Sequence, residues 1–211
     1  MTAIKPIRLS EEILMQRFAI PAALLLTIGA ACNGQVTFQL TPAKDGSLWC
    51  ATDKGAVHIG SDGSAKTYNK STGLNDDLVT QVILDADGTA WFVHAGVFAS
   101  ARSQVFAANG VSHLKKDGSI EILEYGKGLP TGFVYAIAFE PGGTRWFATN
   151  SGAVRWKADG TSEVFDAKHG LPSSDVRSIV IDSGGTKWFA TGAGLAKMDQ
   201  QGTITTVYPK P

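Results

Sequence analysis

Cysteine is nearly absent: Cys32 and Cys50 are the only two in 211 residues. That excludes a disulfide-stapled scaffold. One bridge, Cys32 to Cys50, is open to an exported chain, and Cys50 otherwise reads as a small buried hydrophobe. Net charge is absent too, with 19 basic residues against 19 acidic. A chain without a basic excess has no electrostatic footprint for nucleic acid or for an anionic membrane surface. No His, Cys, Asp or Glu set has the spacing of a zinc site, and no aspartate loop has calcium-loop spacing. The phosphate-binding glycine loop and the serine elbow are missing as well. No metal and no cofactor is expected. Sustained helical periodicity is lacking after residue 31, which leaves an all-β chain.

The one long apolar run covers residues 18–31, interrupted only by Pro21, Thr27 and Gly29. At 14 residues it is shorter than the ~20 that a membrane-spanning helix needs. Arg17 precedes it, and Gly29-Ala30-Ala31 ends it just before Cys32. A charged start, a short apolar middle and a small-residue exit predict a secretory signal over residues 1–31, with Met15 as an alternative start. Gly29-Ala30-Ala31-Cys32 resembles the site at which a bacterial lipoprotein signal presents its lipidated cysteine, although Gly29 stands where that pattern prefers leucine. Lipidation of Cys32 implies a tethered protein, periplasmic or associated with the outer membrane, because several acyl chains anchor firmly where one does not. Ordinary cleavage after Ala31 is the alternative, and it leaves a soluble exported protein.

The rest of the chain is repetitive. Trp49, Trp91, Trp146 and Trp188 are separated by 42, 55 and 42 residues, and each follows a glycine by three. After each comes a second glycine-led run: Gly55-Ala56-Val57, Gly110-Val111-Ser112, Gly152-Ala153-Val154 and Gly194-Leu195-Ala196. A third turn and a more polar run close each repeat at Tyr68, Tyr125, Phe165 and Tyr208. Four strand-like runs in about 40–45 residues is the size of a propeller blade. The sequence therefore predicts an all-β β-propeller of four four-stranded antiparallel blades, over residues 35–72, 73–127, 128–169 and 170–211. The first runs of the later repeats, residues 79–84, 134–139 and 176–181, are mostly apolar on both parities, as suits a strand enclosed on both faces. A closed four-blade ring is the first expectation. An open arc, or a homodimer whose two chains form an eight-blade ring, are the alternatives.

The connectors carry a second signature. Gly73-Leu74-Asn75, Gly128-Leu129-Pro130 and Gly170-Leu171-Pro172 each lead to a valine and an apolar strand. Gly-Leu-Pro, Val, the apolar strand, Asp-x-x-Gly, Trp-x-x-Thr and Gly-Leu-x-Lys, most complete over residues 170–198, resemble the two-component regulator propeller repeat. Asn75 departs from it, as do Glu140-Pro141 and Thr41-Pro42 in place of the aspartate turn. The resemblance covers residues 35–208. It implies propellers, usually seven-bladed, in the extracytoplasmic sensor part of hybrid histidine kinases, many associated with carbohydrate sensing. This chain shows four repeats and no kinase region, so the resemblance implies the propeller and not a signalling role.

Antiparallel alternation puts the connectors and the loops between second and third strands at one end of every sheet. The second repeat is 13 residues longer than its neighbours, and the extra length falls in such a loop, residues 96–109. Loops on a rigid scaffold carry binding residues, which makes Phe98, Arg102, Gln104 and Phe106 a candidate contact set. His94 replaces the threonine of the other repeats beside this insertion, and His169 lies in a connector at the same end. Thr80, Tyr135 and Arg177, near the start of their first strands, are expected at the channel mouth. His58, His113, Arg155 and Lys197 share one repeat position and read as structural. The resulting expectation is an exported, lipid-anchored binding or scaffold module that takes a glycan or protein ligand at the connector face. The alternative is a propeller lyase resembling the streptogramin lyases. That chemistry wants a histidine base with a carboxylate, and neither His94 nor His169 has one evident in the sequence.

Overall fold

A computed structural model describes residues 35–94, 97–98, 106–107, 110–131 and 133–209. The expected signal segment, Cys32, Arg102 and Gln104 lie outside them. The described strands are β1 (Thr37–Pro42), β2 (Leu48–Thr52), β3 (Gly55–Ile59), β4 (Ala65–Tyr68), β5 (Val79–Leu84), β6 (Ala90–His94), β7 (Val97–Phe98), β8 (Phe106–Ala107), β9 (Val111–Leu114), β10 (Ile120–Tyr125), β11 (Gly128–Leu129), β12 (Val134–Phe139), β13 (Arg145–Thr149), β14 (Gly152–Trp156), β15 (Ser162–Phe165), β16 (Val176–Ile181), β17 (Lys187–Thr191), β18 (Gly194–Met198) and β19 (Ile204–Tyr208). They form four sheets in sequence order, β1-β2-β3-β4, β5-β6-β9-β10, β12-β13-β14-β15 and β16-β17-β18-β19. The two-residue β11 adds to β10 in parallel, and β7 pairs with β8 in a separate hairpin. The chain divides into two compact units, Met1–Phe92 and Val93–Pro211.

Turn chemistry sets the register. In five turns an Asp-Gly-Ser or Asp-Gly-Thr triplet recurs, at Asp45, Asp62, Asp87, Asp117 and Asp159. Each aspartate Oδ1 accepts from both the backbone N–H and the side-chain hydroxyl two residues on. Those hydroxyl bonds are the first cause holding the Asp45, Asp62, Asp117 and Asp159 carboxyls below the ordinary carboxylate range. The middle glycine sits at φ 82–83° at all five positions, where a side chain would be strained. The connectors are braced similarly. Asn69 and Asp166 cap the short 3-10 turns Lys70–Thr72 and Ala167–His169. The following Leu74 and Leu171, like Leu129 after Gly128, are buried.

The first strands depart from expectation. Their buried residues are three apart: Val79 and Val82, Val134 and Ile137, Val176 and Ile179. A bulge explains the phase. The register slips between Thr37 and Gln39, between Val134 and Ala136, and between Val176 and Ser178. One extra residue re-aims the side chain at that point. In the first two sheets the strand enclosed on both faces is the second, since β2 and β6 are buried throughout, and β13 nearly so, whereas β17 is not. Cys50, on β2, is buried as read from the sequence.

The tryptophans organise the packing. In the first unit the Trp49 ring lies 5.4 Å from Tyr68 at 35° and 5.6 Å from Phe92, on the following sheet, at 60°. In the second unit Trp146 lies 5.3 Å from Phe165 at 35° and 5.7 Å from Phe189, on the following sheet, at 61°. The same junction is thus built twice, from an indole, its own sheet's outer aromatic and the next sheet's phenylalanine. Around Trp146 the junction gathers Ala148, Ala153, Val176, Ile179, Phe189, Ala196 and Met198 into one core. Trp146, Trp91 and Trp49 are buried, whereas Trp188 is half-buried. The shared basic position falls directly opposite the indole: His58 pairs with Trp49, Arg155 with Trp146 and Lys197 with Trp188.

Candidate ligand-binding face

The bulges change what the first strands expose. Their extra residues are Phe38, Tyr135 and Arg177. Tyr135 and Arg177 belong to the set read from the sequence. Phe38 was missed, and aligning the first strands on their bulge would have found it. Phe38 is 47% exposed and Tyr135 38% exposed. A bulge re-aims the side chain at its extra residue, and here both rings are exposed.

In the second unit the structure brings Tyr135 and Arg177 to one place, through a residue the sequence reading passed over. Asp175 Oδ2 accepts from Arg177 Nε at 3.0 Å, and the guanidinium's second nitrogen lies 2.9 Å from the same oxygen. Asp175 is itself held by its backbone. Its N–H donates to Ser173 Oγ at 3.1 Å, and its carbonyl accepts from Gly192 N at 2.8 Å. A Cβ at Gly192 would stand 3.0 Å from Asp175 Oδ2, so glycine leaves the carboxylate its room. Asp175 Oδ1 is enclosed and has no hydrogen-bond partner among the described residues. Partial burial, and then the Asp175 charge, push the Tyr135 phenol above its ordinary pKa, with Arg177 opposing. The sequence signal for Asp175 was a charge in an otherwise apolar position, since Leu78 and Phe133 occupy it in the earlier connectors.

The histidines separate. His94 is 2% exposed, and a 2.7 Å hydrogen bond joins its Nε2 to Ser112 Oγ. His169 is exposed, and its Nδ1 lies 2.7 Å from Asp166 Oδ1. This supplies the carboxylate partner not evident in the sequence. The same Asp166 oxygen accepts from Lys168 N at 2.8 Å, so the pair is also the cap of the connector turn. The His169 bond is the first cause depressing the Asp166 pKa. In the insertion, Phe98 stands opposite Phe106 in the β7–β8 ladder. Arg102 and Gln104, from the same contact set, lie outside the described residues. Among the described residues no three His, Cys, Asp or Glu side chains gather as a metal site, and no helix is long and apolar enough to cross a membrane.

No protein-family model and no curated protein matches the chain. Solved structures do. The extracellular domain of a hybrid two-component system from B. thetaiotaomicron is similar with a TM-score of 0.67 at 22% identity, over 82% of this chain and 23% of that one. The four sheets and this likeness decide the architecture. The fold is a β-propeller. Each four-stranded sheet is a blade of it, numbered one to four in chain order. The extracellular domain of a one-component system from the same organism is similar at TM-score 0.60 and 18% identity, over 82% of this chain and 23% of that one. Virginiamycin B lyase from Staphylococcus aureus is similar at TM-score 0.60 and 22% identity, over 83% of this chain and 56% of the lyase. The propeller described here therefore spans under a quarter of the sensor chains and just over half of the lyase.

Proposed function

We propose that this chain is an exported, lipid-anchored propeller module, tethered through Cys32, that binds a glycan at the connector end of its third and fourth blades. The observation that carries the reading is the Asp175 carboxylate. One oxygen is held by Arg177, and the other is enclosed without a donor. A buried acceptor without a partner costs free energy, and a ligand hydroxyl offered to it removes that cost. Arg177 keeps further N–H donors for a second ligand oxygen, and the exposed Tyr135 ring offers an apolar face beside them. Hydroxyl donors and acceptors on an apolar ring are the chemistry of a saccharide. The similarity to extracellular domains of two- and one-component systems is consistent with export.

Calorimetric titration with a panel of neutral and acidic oligosaccharides tests it. Binding is expected for at least one, and Asp175→Asn and Tyr135→Ala should each weaken it by about tenfold or more. No binding across the panel, or binding that both variants leave intact, counts against a glycan site here; capture of a protein instead would move the ligand to that class.

A second reading rests on the Asp166–His169 pair. A carboxylate on Nδ1 fixes the imidazole tautomer and leaves Nε2 to take a proton from substrate. This constellation suits an elimination of the kind a lyase performs. Incubation with a lactone-containing cyclic peptide and a divalent cation should then give turnover that His169→Ala abolishes. Turnover surviving that change, or none at all, removes the reading.

A further inference from the structure

We infer that the start of β1 is a membrane-contact surface: Val36 and Phe38 rest on the lipid interface that holds the acyl chains of Cys32. This rests on the lipid tether proposed above. Val36 and Phe38 are each 47% exposed, and Thr37 between them is exposed as well. The start of this strand is inverted relative to its counterparts. Thr37 pairs with Thr52 as Val134 pairs with Thr149 and Val176 with Thr191. Those valines are buried. In blade one the core position is thus polar and exposed, and the apolar side chains are its two neighbours. No charged residue stands between Arg17 and Lys44. An uncharged segment with two apolar side chains outward suits the boundary between lipid headgroups and acyl chains.

The length of the tether decides what meets this surface. Only Asn33, Gly34 and Gln35 separate Cys32 from Val36. Even a fully extended chain then keeps Val36 within about 14 Å of Cys32, and Phe38 within about 22 Å. From Val36 onward the chain belongs to the blade. The Val36 N–H donates to Asp53 Oδ1 at 3.0 Å, and its carbonyl accepts from Asp53 N at 3.1 Å. A lipidated cysteine sits at headgroup level, and the headgroup layer is about 5–8 Å deep on each side of the bilayer. A tether at full stretch therefore lifts Val36 clear of that layer by less than about 10 Å, and any relaxed tether brings it in. Phe38 follows two residues later, with its ring already outward. The contact is apolar, so it needs no basic excess, and the chain has none.

A nitroxide depth measurement tests this. The full chain, exported with its own signal and purified with its lipid, is labelled at Phe38→Cys and reconstituted into phosphatidylcholine vesicles. Lipidation consumes the Cys32 thiol, and Cys50 is buried, so the label goes to one position. Power saturation reads its collisions with oxygen, which partitions into the bilayer, and with a water-soluble nickel chelate. The reference is the same label at Ser61→Cys, in the turn at the opposite end of blade one. Relative to it, nickel collisions at Phe38→Cys should fall by about fivefold or more and oxygen collisions should rise. A label at Val36→Cys should read the same way, and it serves if Phe38→Cys lowers the melting temperature. Labels at both positions that meet nickel as freely as the reference overturn the inference. So do labels sheltered from nickel and oxygen alike, because protein then covers the surface. Either result on a chain whose acyl chains are seen by mass spectrometry leaves the tether standing. A Cys32 without acyl chains removes the tether and this inference together. None of these outcomes depends on glycan binding at Asp175.

Discussion

At the scale of single residues, the repeat position opposite each indole is where pH enters. Burial is the first cause lowering the pKa of both His58 and His113 below the ordinary imidazole value of 6.5. Once pH falls below about 6.5 the unfolded chain binds more protons than the folded one. The stability that these neutral rings support is therefore full above that value and is lost as pH falls through their lowered values. The melting temperature is expected to drop between pH 7 and pH 5, and the double change His58→Gln, His113→Gln to flatten most of that slope. A melting temperature that holds steady or rises on acidification would mean that the rings are not desolvated as described. His58 stacks on Trp49 at 4.3 Å, so it works as a ring as much as a base. That structural role was legible from four basic residues sharing one repeat position. The role of Asp175 was not. Nothing in a linear sequence says that one carboxylate oxygen is enclosed while the other is bonded.

At the scale of elements, the blade junction is the unit that counts. Trp146 is fully buried in a junction with Phe165 and Phe189, whereas Trp188 occupies the same repeat position and is only half-buried. Trp146→Ala should destabilise the chain by about 3–5 kcal/mol, the usual cost of emptying a large aromatic site. Trp188→Ala should cost clearly less, since a half-buried ring forfeits less buried area. Urea titration of the two variants reads the difference; equal losses would mean that Trp188 is as enclosed as its counterparts. The strands themselves were readable, because glycines and aspartates mark the turns and the tryptophans mark the second strands. The bulges were not. A run such as Val176-Arg177-Ser178-Ile179-Val180-Ile181 is apolar on both parities, and periodicity alone does not reveal a slip after the first residue. The slip leaves Phe38, Tyr135 and Arg177 exposed.

At the scale of the molecule, the repeat count led to the architecture. Four tryptophans at near-regular spacing predicted four blades, and four sheets of sequence-consecutive strands are found. The insertion was correctly placed between the second and third strands of the second repeat, where it forms the β7–β8 hairpin. The second strands β2 and β6 are buried throughout, and each is flanked by strands on both edges.

The amino-acid sequence by itself determined the strand class, the number of blades and the turns that set their register, because those depend on local φ/ψ preferences and on the period of apolar residues. Only the tertiary structure decided which polar side chains meet. Asp175 comes beside Tyr135 across 40 residues of chain, and His169 finds its carboxylate in the bend of its own connector. The Asp175–Tyr135 encounter depends on how the third and fourth blades pack, with Trp146 on Phe189 between them, which no single segment encodes; the Asp166–His169 pair needs only the local turn.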